Sequence, residues 1–107
     1  MLELSGEVFT ALADPTRRGL FERLSREGEL TVRLLTGNSG VSQPAVSKHL
    51  RLLKQARLVR SRHRGRETYY SAHPRALAPL VDWMNYYSGF WHHRFDRLEA
   101  VLKRMDS

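Results

Sequence analysis

Ser42-Gln43-Pro44-Ala45-Val46-Ser47-Lys48-His49-Leu50-Arg51-Leu52-Leu53-Lys54-Gln55-Ala56-Arg57 is the stretch around which the chain is organised. Its spacing predicts a helix. Ser42 is a good N-cap, because its hydroxyl can accept a free backbone N–H of the first turn, and Pro44 stands early enough to tolerate its missing N–H. At about 100° per residue, Ala45, Val46, His49, Leu50, Leu52, Leu53 and Ala56 share one arc. Pro44, Ser47, Lys48, Arg51, Lys54 and Gln55 fall on the other. The polar arc carries donors and cations and no carboxylate, which suits a surface that meets phosphates and base edges. A solvated basic face would look the same in isolation, so the flanks decide.

Between Leu30 and Arg66 there is no Asp or Glu, yet there are nine Lys or Arg: Arg33, Lys48, Arg51, Lys54, Arg57, Arg60, Arg62, Arg64 and Arg66. All eleven acids of the chain lie outside that window. Such segregation is the footprint of a polyanionic partner, and nucleic acid leads the candidates. The whole chain carries a formal charge of +7, and arginine outnumbers lysine fifteen to three. The planar guanidinium fork suits bidentate contacts to phosphate and guanine.

The 107 residues suffice for one domain, taken here as 1–107. The absence of cysteine excludes disulfides, thiolate metal sites and cysteine nucleophiles. No apolar run approaches the roughly 20 residues needed to cross a bilayer, and Met1–Glu7 lacks the cationic and apolar regions of a signal peptide. A cytoplasmic protein without membrane contact is expected.

Outward from the basic helix, Leu4, Val8, Phe9 and Leu12 predict a first helix over about 3–13. Asp14 caps and Pro15 begins a second helix to about Arg26, with Leu20, Phe21 and Leu24 inward and Gly28 as terminator. Thr31 caps a short helix holding Val32, Leu34 and Leu35. A turn at Gly37–Gly40 then leads into the basic helix. Two helices around a short Gly-containing turn make a helix-turn-helix over about 31–57. Beyond it the period changes to two. Leu58–His63 and Glu67–Ala72 flank Arg64-Gly65-Arg66 and read as a hairpin, a wing over about 58–73, with Arg60, Arg62 and Arg64 on one side. Edge cations can simply protect against aggregation. With every acid excluded and a cationic tip, phosphate contact by Arg62, Arg64 and Arg66 is the favoured reading.

Pro74 opens a last helix expected to run over about 75–104, roughly 45 Å at ~1.5 Å per residue. Leu77, Val81, Met84, Ser88, Trp91, Phe95, Leu98, Leu102 and Met105 repeat with 4-3 spacing, a heptad seam in which only Ser88 is polar. Leu80, Trp83, Tyr87, Phe90 and Val101 add a second apolar stripe, and six of the ten aromatics lie between Trp83 and Phe95. One stripe closes the core. The second needs another partner, for which a second copy is the simplest choice. Ser88-Gly89 is a candidate kink.

With these residues in place the chain resembles the ArsR-type winged helix-turn-helix repressors. The resemblance is carried by Ala11–Arg18 (Ala-Leu-Ala-Asp-Pro-Thr-Arg-Arg), Gly28–Val32, Ser42–Leu50 and Leu58-Val59. It continues through the Gly65 hairpin with Tyr69-Tyr70, and Phe90-Trp91 with Arg97-Leu98-Glu99. The ending is similar to that of the SdpR-like branch of small autorepressors. The resemblance implies a mainly α fold with a small β-hairpin and a homodimer built from the first and last helices. Leu4, Val8, Trp83, Tyr87, Trp91, Phe95 and Leu98 are then expected at the dimer interface. It also implies that the basic helix lies in the major groove of double-stranded DNA, at an imperfect inverted repeat. Gln43, Ser47 and Lys48 would read bases, with Pro44 and Arg51 beside them and His49 structural.

Two departures accompany the resemblance. The Cys-x-Cys box of the arsenic and cadmium sensors is replaced by Leu30-Thr31-Val32-Arg33. Gly37 and Ser39 stand where relatives keep a helix former and a leucine, so this helix should be short, since Gly costs roughly 1 kcal/mol in a helix interior. The zinc-sensing branch uses histidines and carboxylates of the last helix. Here His92, Asp96 and Glu99 share one flank of the seam, but Met84 stands at the upstream histidine position. No metal or other cofactor is therefore expected, with those three residues as the alternative set, and no effector can be named. No phosphate-cradling Gly-rich loop and no catalytic triad spacing is present. Gly37–Gly40 formally matches the G-x-x-G loop of KH domains, without the strand that should precede it. A repressor of transcription, of the autorepressor kind, is the reading. A winged helix kept only for protein contacts is the rival, and the unopposed arginines argue against it.

Overall fold

The computed structural model describes residues 6–106, except the side chain of Trp91. The expected start of the first helix near Glu3, and the interface positions Leu4 and Trp91, lie outside the described residues and side chains. The chain forms two compact units, divided between residues 78 and 79.

In the first unit, α1 (Gly6–Ala13) and α2 (Pro15–Glu27) meet at Asp14. The Asp14 Oδ2 accepts the Arg17 backbone N–H at 2.9 Å, and Gly28, at φ +87°, ends α2 with its N–H on the Leu24 carbonyl. The strand β1 (Leu30–Thr31) follows, and Thr31 Oγ1 then caps α3 (Val32–Gly37) by accepting the Leu34 N–H at 3.1 Å. That helix is six residues long, as Gly37 leads one to expect. The Ser39 hydroxyl replaces the missing turns: it donates to the Thr36 carbonyl at 2.9 Å and accepts the Val41 N–H at 3.2 Å.

The basic stretch is α4 (Gln43–Gln55), capped by Ser42 Oγ, which accepts the Ala45 N–H at 3.3 Å. Its end is a Schellman arrangement. Leu58 N–H donates to Leu53 O at 3.0 Å and Arg57 N–H to Lys54 O at 2.9 Å, with Arg57 at φ +64°. The wing is β2 (Val59–Arg64) and β3 (Glu67–Ala72), joined by Gly65-Arg66 with Gly65 at φ +62°, the arrangement of a II′ turn. β3 is central in the antiparallel order β1-β3-β2, pairing Thr31 with Tyr69 on one side and Arg62 with Tyr69 on the other. The third strand was not foreseen: two residues are too few to show a period.

The core gathers Val8 and Ala11 of α1, Leu20, Phe21 and Leu24 of α2, Leu35 of α3, Val46, Leu50 and Leu53 of α4, and Ala56, Leu58 and Val59. Each large side chain among them contributes roughly 1.5–3 kcal/mol by leaving water. Val46, Leu50 and Leu53 are fully buried, so α4 cannot rotate without exposing them, and its polar arc is locked outward. Val8, expected at a dimer interface, is buried in this core, while Phe9 and Leu34 are exposed. Val8 and Ala11 are three apart on α1 and already fill the face toward the core, which leaves Phe9 off that face.

The expected single last helix is divided. A 3₁₀ turn over Pro74–Leu77 leads into α5 (Ala78–Tyr86), and α6 runs over Ser88–Met105. The break falls at Tyr87, whose N–H bonds the Met84 carbonyl three residues back at 3.1 Å instead of the carbonyl four back. Gly89, two residues further on, weakens any helix through this point. The heptad seam is therefore two segments, and the rigid 45 Å rod is not formed.

Candidate nucleic-acid interface

The outward arc of α4 presents Gln43, Pro44, Lys48, Arg51, Lys54 and Gln55 to solvent, with Ser47 half-buried among them. Among the described residues, Lys48, Arg51, Arg64 and Arg66 have no carboxylate partner. Lys54 Nζ donates to Ser61 Oγ at 2.7 Å, tying the end of α4 to the wing strand β2. Across the wing His63 Nδ1 and Thr68 Oγ1 stand 3.1 Å apart. The N-terminal end of α4 and the wing border a polar cleft of about 340 Å³, lined by Arg33, Gln43, Ser47, Arg66, Glu67 and Thr68.

Two acids that flank the acid-free window fold back onto it. Arg62, read from the sequence as a phosphate contact, forks onto Glu29: Nε donates to Oε2 at 2.8 Å and Nη2 to Oε1 at 2.6 Å. Its guanidinium also lies 4.7 Å from the centre of the Tyr69 ring. The paired arginine holds the Glu29 carboxyl below its ordinary value and raises Arg62 in turn. Arg33 Nη2 lies 3.1 Å from Glu67 Oε1. Sequence reasoning missed both pairs, because the pairing of β1 with β3 that carries Glu29 to the sheet has no local signature. The available signal was position, since Glu29 and Glu67 are the acids immediately before and after the window.

His49 is half-buried, with Nδ1 3.4 Å from Arg17 Nη1. Arg17 also donates to the Ala11 carbonyl at 2.8 Å and the Thr10 carbonyl at 3.1 Å, so it closes the end of α1 and braces α4. The Asp14 carboxyl is held below its ordinary value, chiefly by the Arg17 backbone N–H and, less strongly, by His49 and Arg17 charge. On α6, Glu99 pairs with Lys103 at 3.5 Å, and among the described residues no three His, Cys, Asp or Glu side chains converge as metal ligands. His92, Asp96 and Glu99 are not brought together in such a set.

Comparison with known proteins bears on this face directly. The family described as bacterial regulatory proteins, arsR family, matches residues 14–61, from the cap of α2 through α4 into β2. The transcriptional repressor SdpR of Bacillus subtilis is 35% identical over 77 residues, 72% of this chain and 84% of SdpR. The chain belongs to the arsR family. A second member, the HTH-type transcriptional regulator Rv2034 of Mycobacterium tuberculosis, is 50% identical over 70 residues, 65% of this chain and 64% of that protein. Among solved structures, the ArsR family transcriptional regulator RHA00566 superposes with a TM-score of 0.75 at 28% identity, covering 86% of this chain and 97% of that one. The arsR-family chain is thus a winged helix-turn-helix regulator of the DNA-binding class, with α4 as the second helix of its motif.

Proposed function

We propose that this arsR-family protein is a sequence-specific transcriptional repressor that binds double-stranded DNA as a homodimer and performs no catalysis. The observation that carries the reading is the α4 face: Gln43, Pro44, Ser47, Lys48 and Arg51 point outward from a helix whose opposite side is locked in the core. A helix of this kind fits the major groove, where Gln can bond adenine and Lys can bond guanine. Arg64 and Arg66 at the wing tip supply phosphate contacts, while Arg62 braces the wing through Glu29. Binding over a promoter excludes polymerase, and the cytoplasm, where the DNA lies, is the compartment this reading implies.

Dimerisation is supported by the second unit. Trp83, Tyr87, Phe95 and Leu98 are all exposed there, Phe95 by 63% and Leu98 by 54%, more apolar surface than a unit of this size leaves to water without a partner. Two symmetric copies would present two α4 helices about 34 Å apart, one turn of duplex, to an imperfect inverted repeat. No metal takes part, and the dimer is held by apolar burial alone.

Fluorescence anisotropy on two duplexes tests the reading: one selected by the protein from a randomised pool, one of random sequence. Gln43→Ala and Lys48→Ala should erase the preference for the selected duplex and leave random binding nearly unchanged. Loss of equal factors on both duplexes would remove these residues as base readers.

A further inference from the structure

A carboxylate stands inside the basic face. Glu67 opens β3 immediately after the acid-free window, and the two-residue turn sets it opposite Arg64 in register. Its Oε1 lies 3.1 Å from Nη2 of Arg33 on α3. The two side chains border the same 340 Å³ cleft as Gln43 and Ser47, the first residues of α4 that would meet base edges. The Arg33 side chain is 78% exposed even while paired, so the ion pair restrains it without shielding it from an incoming phosphate. Solvent-exposed pairs of this kind add little to fold stability. The position of this one, at the mouth between helix and wing, gives it another use.

We propose that Glu67 determines specificity by repulsion: it withholds Arg33 from the phosphates of arbitrary DNA and yields it only on a sequence that Gln43 and Ser47 can read. This rests on the assignment of α4 and the wing as the DNA face. On a random duplex the protein gains only phosphate contacts, and the carboxylate in the cleft repels the strand that would give Arg33 one. On a matched sequence, base contacts at Gln43 and Ser47 fix the backbone over the cleft, and Arg33 exchanges Glu67 for a phosphate. Discrimination then comes from an unfavourable element aimed at wrong partners as well as from favourable contacts to the right one. The salt dependence separates the two states, because each phosphate neutralised on duplex DNA adds about 0.9 to the slope of log K against log salt.

The test uses the full chain and the same two probes, a duplex selected from a randomised pool and a random duplex, titrated across a salt series. Glu67→Gln should steepen the slope on random duplex by about 0.9 and tighten that binding roughly threefold or more, with the slope on the selected duplex unchanged. Arg33→Ala should do the converse, flattening the slope by about 0.9 on the selected duplex alone. Glu22→Gln on α2, which does not line the cleft, controls for net charge and should move neither slope. If the slope on random duplex stays fixed in Glu67→Gln, or both duplexes respond equally, the inference is overturned while the DNA reading stands. A wild-type protein that binds neither duplex overturns both.

Discussion

Arg62 of β2 is bound in a two-pronged pair to Glu29, the residue before β1, and Tyr69 of the strand between them lies under the guanidinium at 4.7 Å. Two strands and the residue leading into the third thus converge on one arginine. A wing arginine with a carboxylate already in place contributes less net charge to a phosphate than an unpaired neighbour. Arg64→Ala should therefore flatten the salt dependence on random duplex by about 0.9, and Arg62→Ala by less than half of that. Equal slopes for the two variants, measured by anisotropy, would mean that Arg62 leaves Glu29 freely.

The same pair gives an acid-side dependence. Glu29 is held below its ordinary value first by the hydrogen bonds from Arg62, and Asp14 first by the Arg17 backbone N–H. A carboxyl lowered in the folded state contributes stability that is complete above its unfolded value and disappears as pH falls through its folded value. Thermal stability should be flat near neutrality and decline below about pH 4. In Glu29→Gln and Asp14→Asn that decline should be shallower than in wild type, as read by circular dichroism melts across pH.

Arg57 occupies the left-handed region at φ +64°, where the Schellman closure of α4 requires it. A residue with a Cβ is strained there by roughly 1–2 kcal/mol, while glycine carries a smaller chain-entropy cost. Arg57→Gly should stabilise the fold by up to about 1 kcal/mol, and Arg57→Val should destabilise it by more than that. Urea denaturation measures both.

Leu50 is fully buried on α4, on the side opposite Lys48. Leu50→Ala should cost about 2–5 kcal/mol of stability. Where the variant still folds, its affinity for the selected duplex should fall more than its affinity for random duplex. A loosened core lets the helix turn, and base contacts need the orientation that phosphate contacts do not. An unchanged ratio of the two affinities would separate core packing from recognition.

Much of this was legible in the sequence because local chemistry decided it. Ser42, Thr31 and Asp14 cap the helices they were expected to cap, and the change of period after Leu58 marked the wing. The misses share another character. β1 is two residues long, and its strand state exists only through pairing with β3, so Glu29 was invisible as the partner of Arg62. Val8 has the same helical spacing as a dimer contact would have, and only the packing of α1 on α2 tells core from interface. The 4-3 repeat in the last third was continuous on paper. A repeat of apolar positions does not register the backbone, and the chain breaks at Tyr87, one residue before the expected Ser88-Gly89 kink. The face of α4 was readable throughout, since amphipathic period, cap and charge segregation all agree there.

Dimerisation and operator geometry are one property in this account. In the proposed dimer, a two-fold axis pairing the exposed apolar residues of α5 and α6 would also relate the two copies of α4. Phe95→Glu would place a charge at that face, and light scattering at about 10 μM should find monomers where the wild type gives dimers. The most direct measurement is then the affinity of the wild-type dimer for its selected duplex, before and after insertion of about five base pairs between the half-sites, half a turn of DNA. The account predicts that the intact site binds at least ~10³-fold more tightly than random duplex and that the insertion returns it to the random value. A protein that binds the lengthened site as tightly as the intact one, or that binds both no better than random sequence, would contradict it.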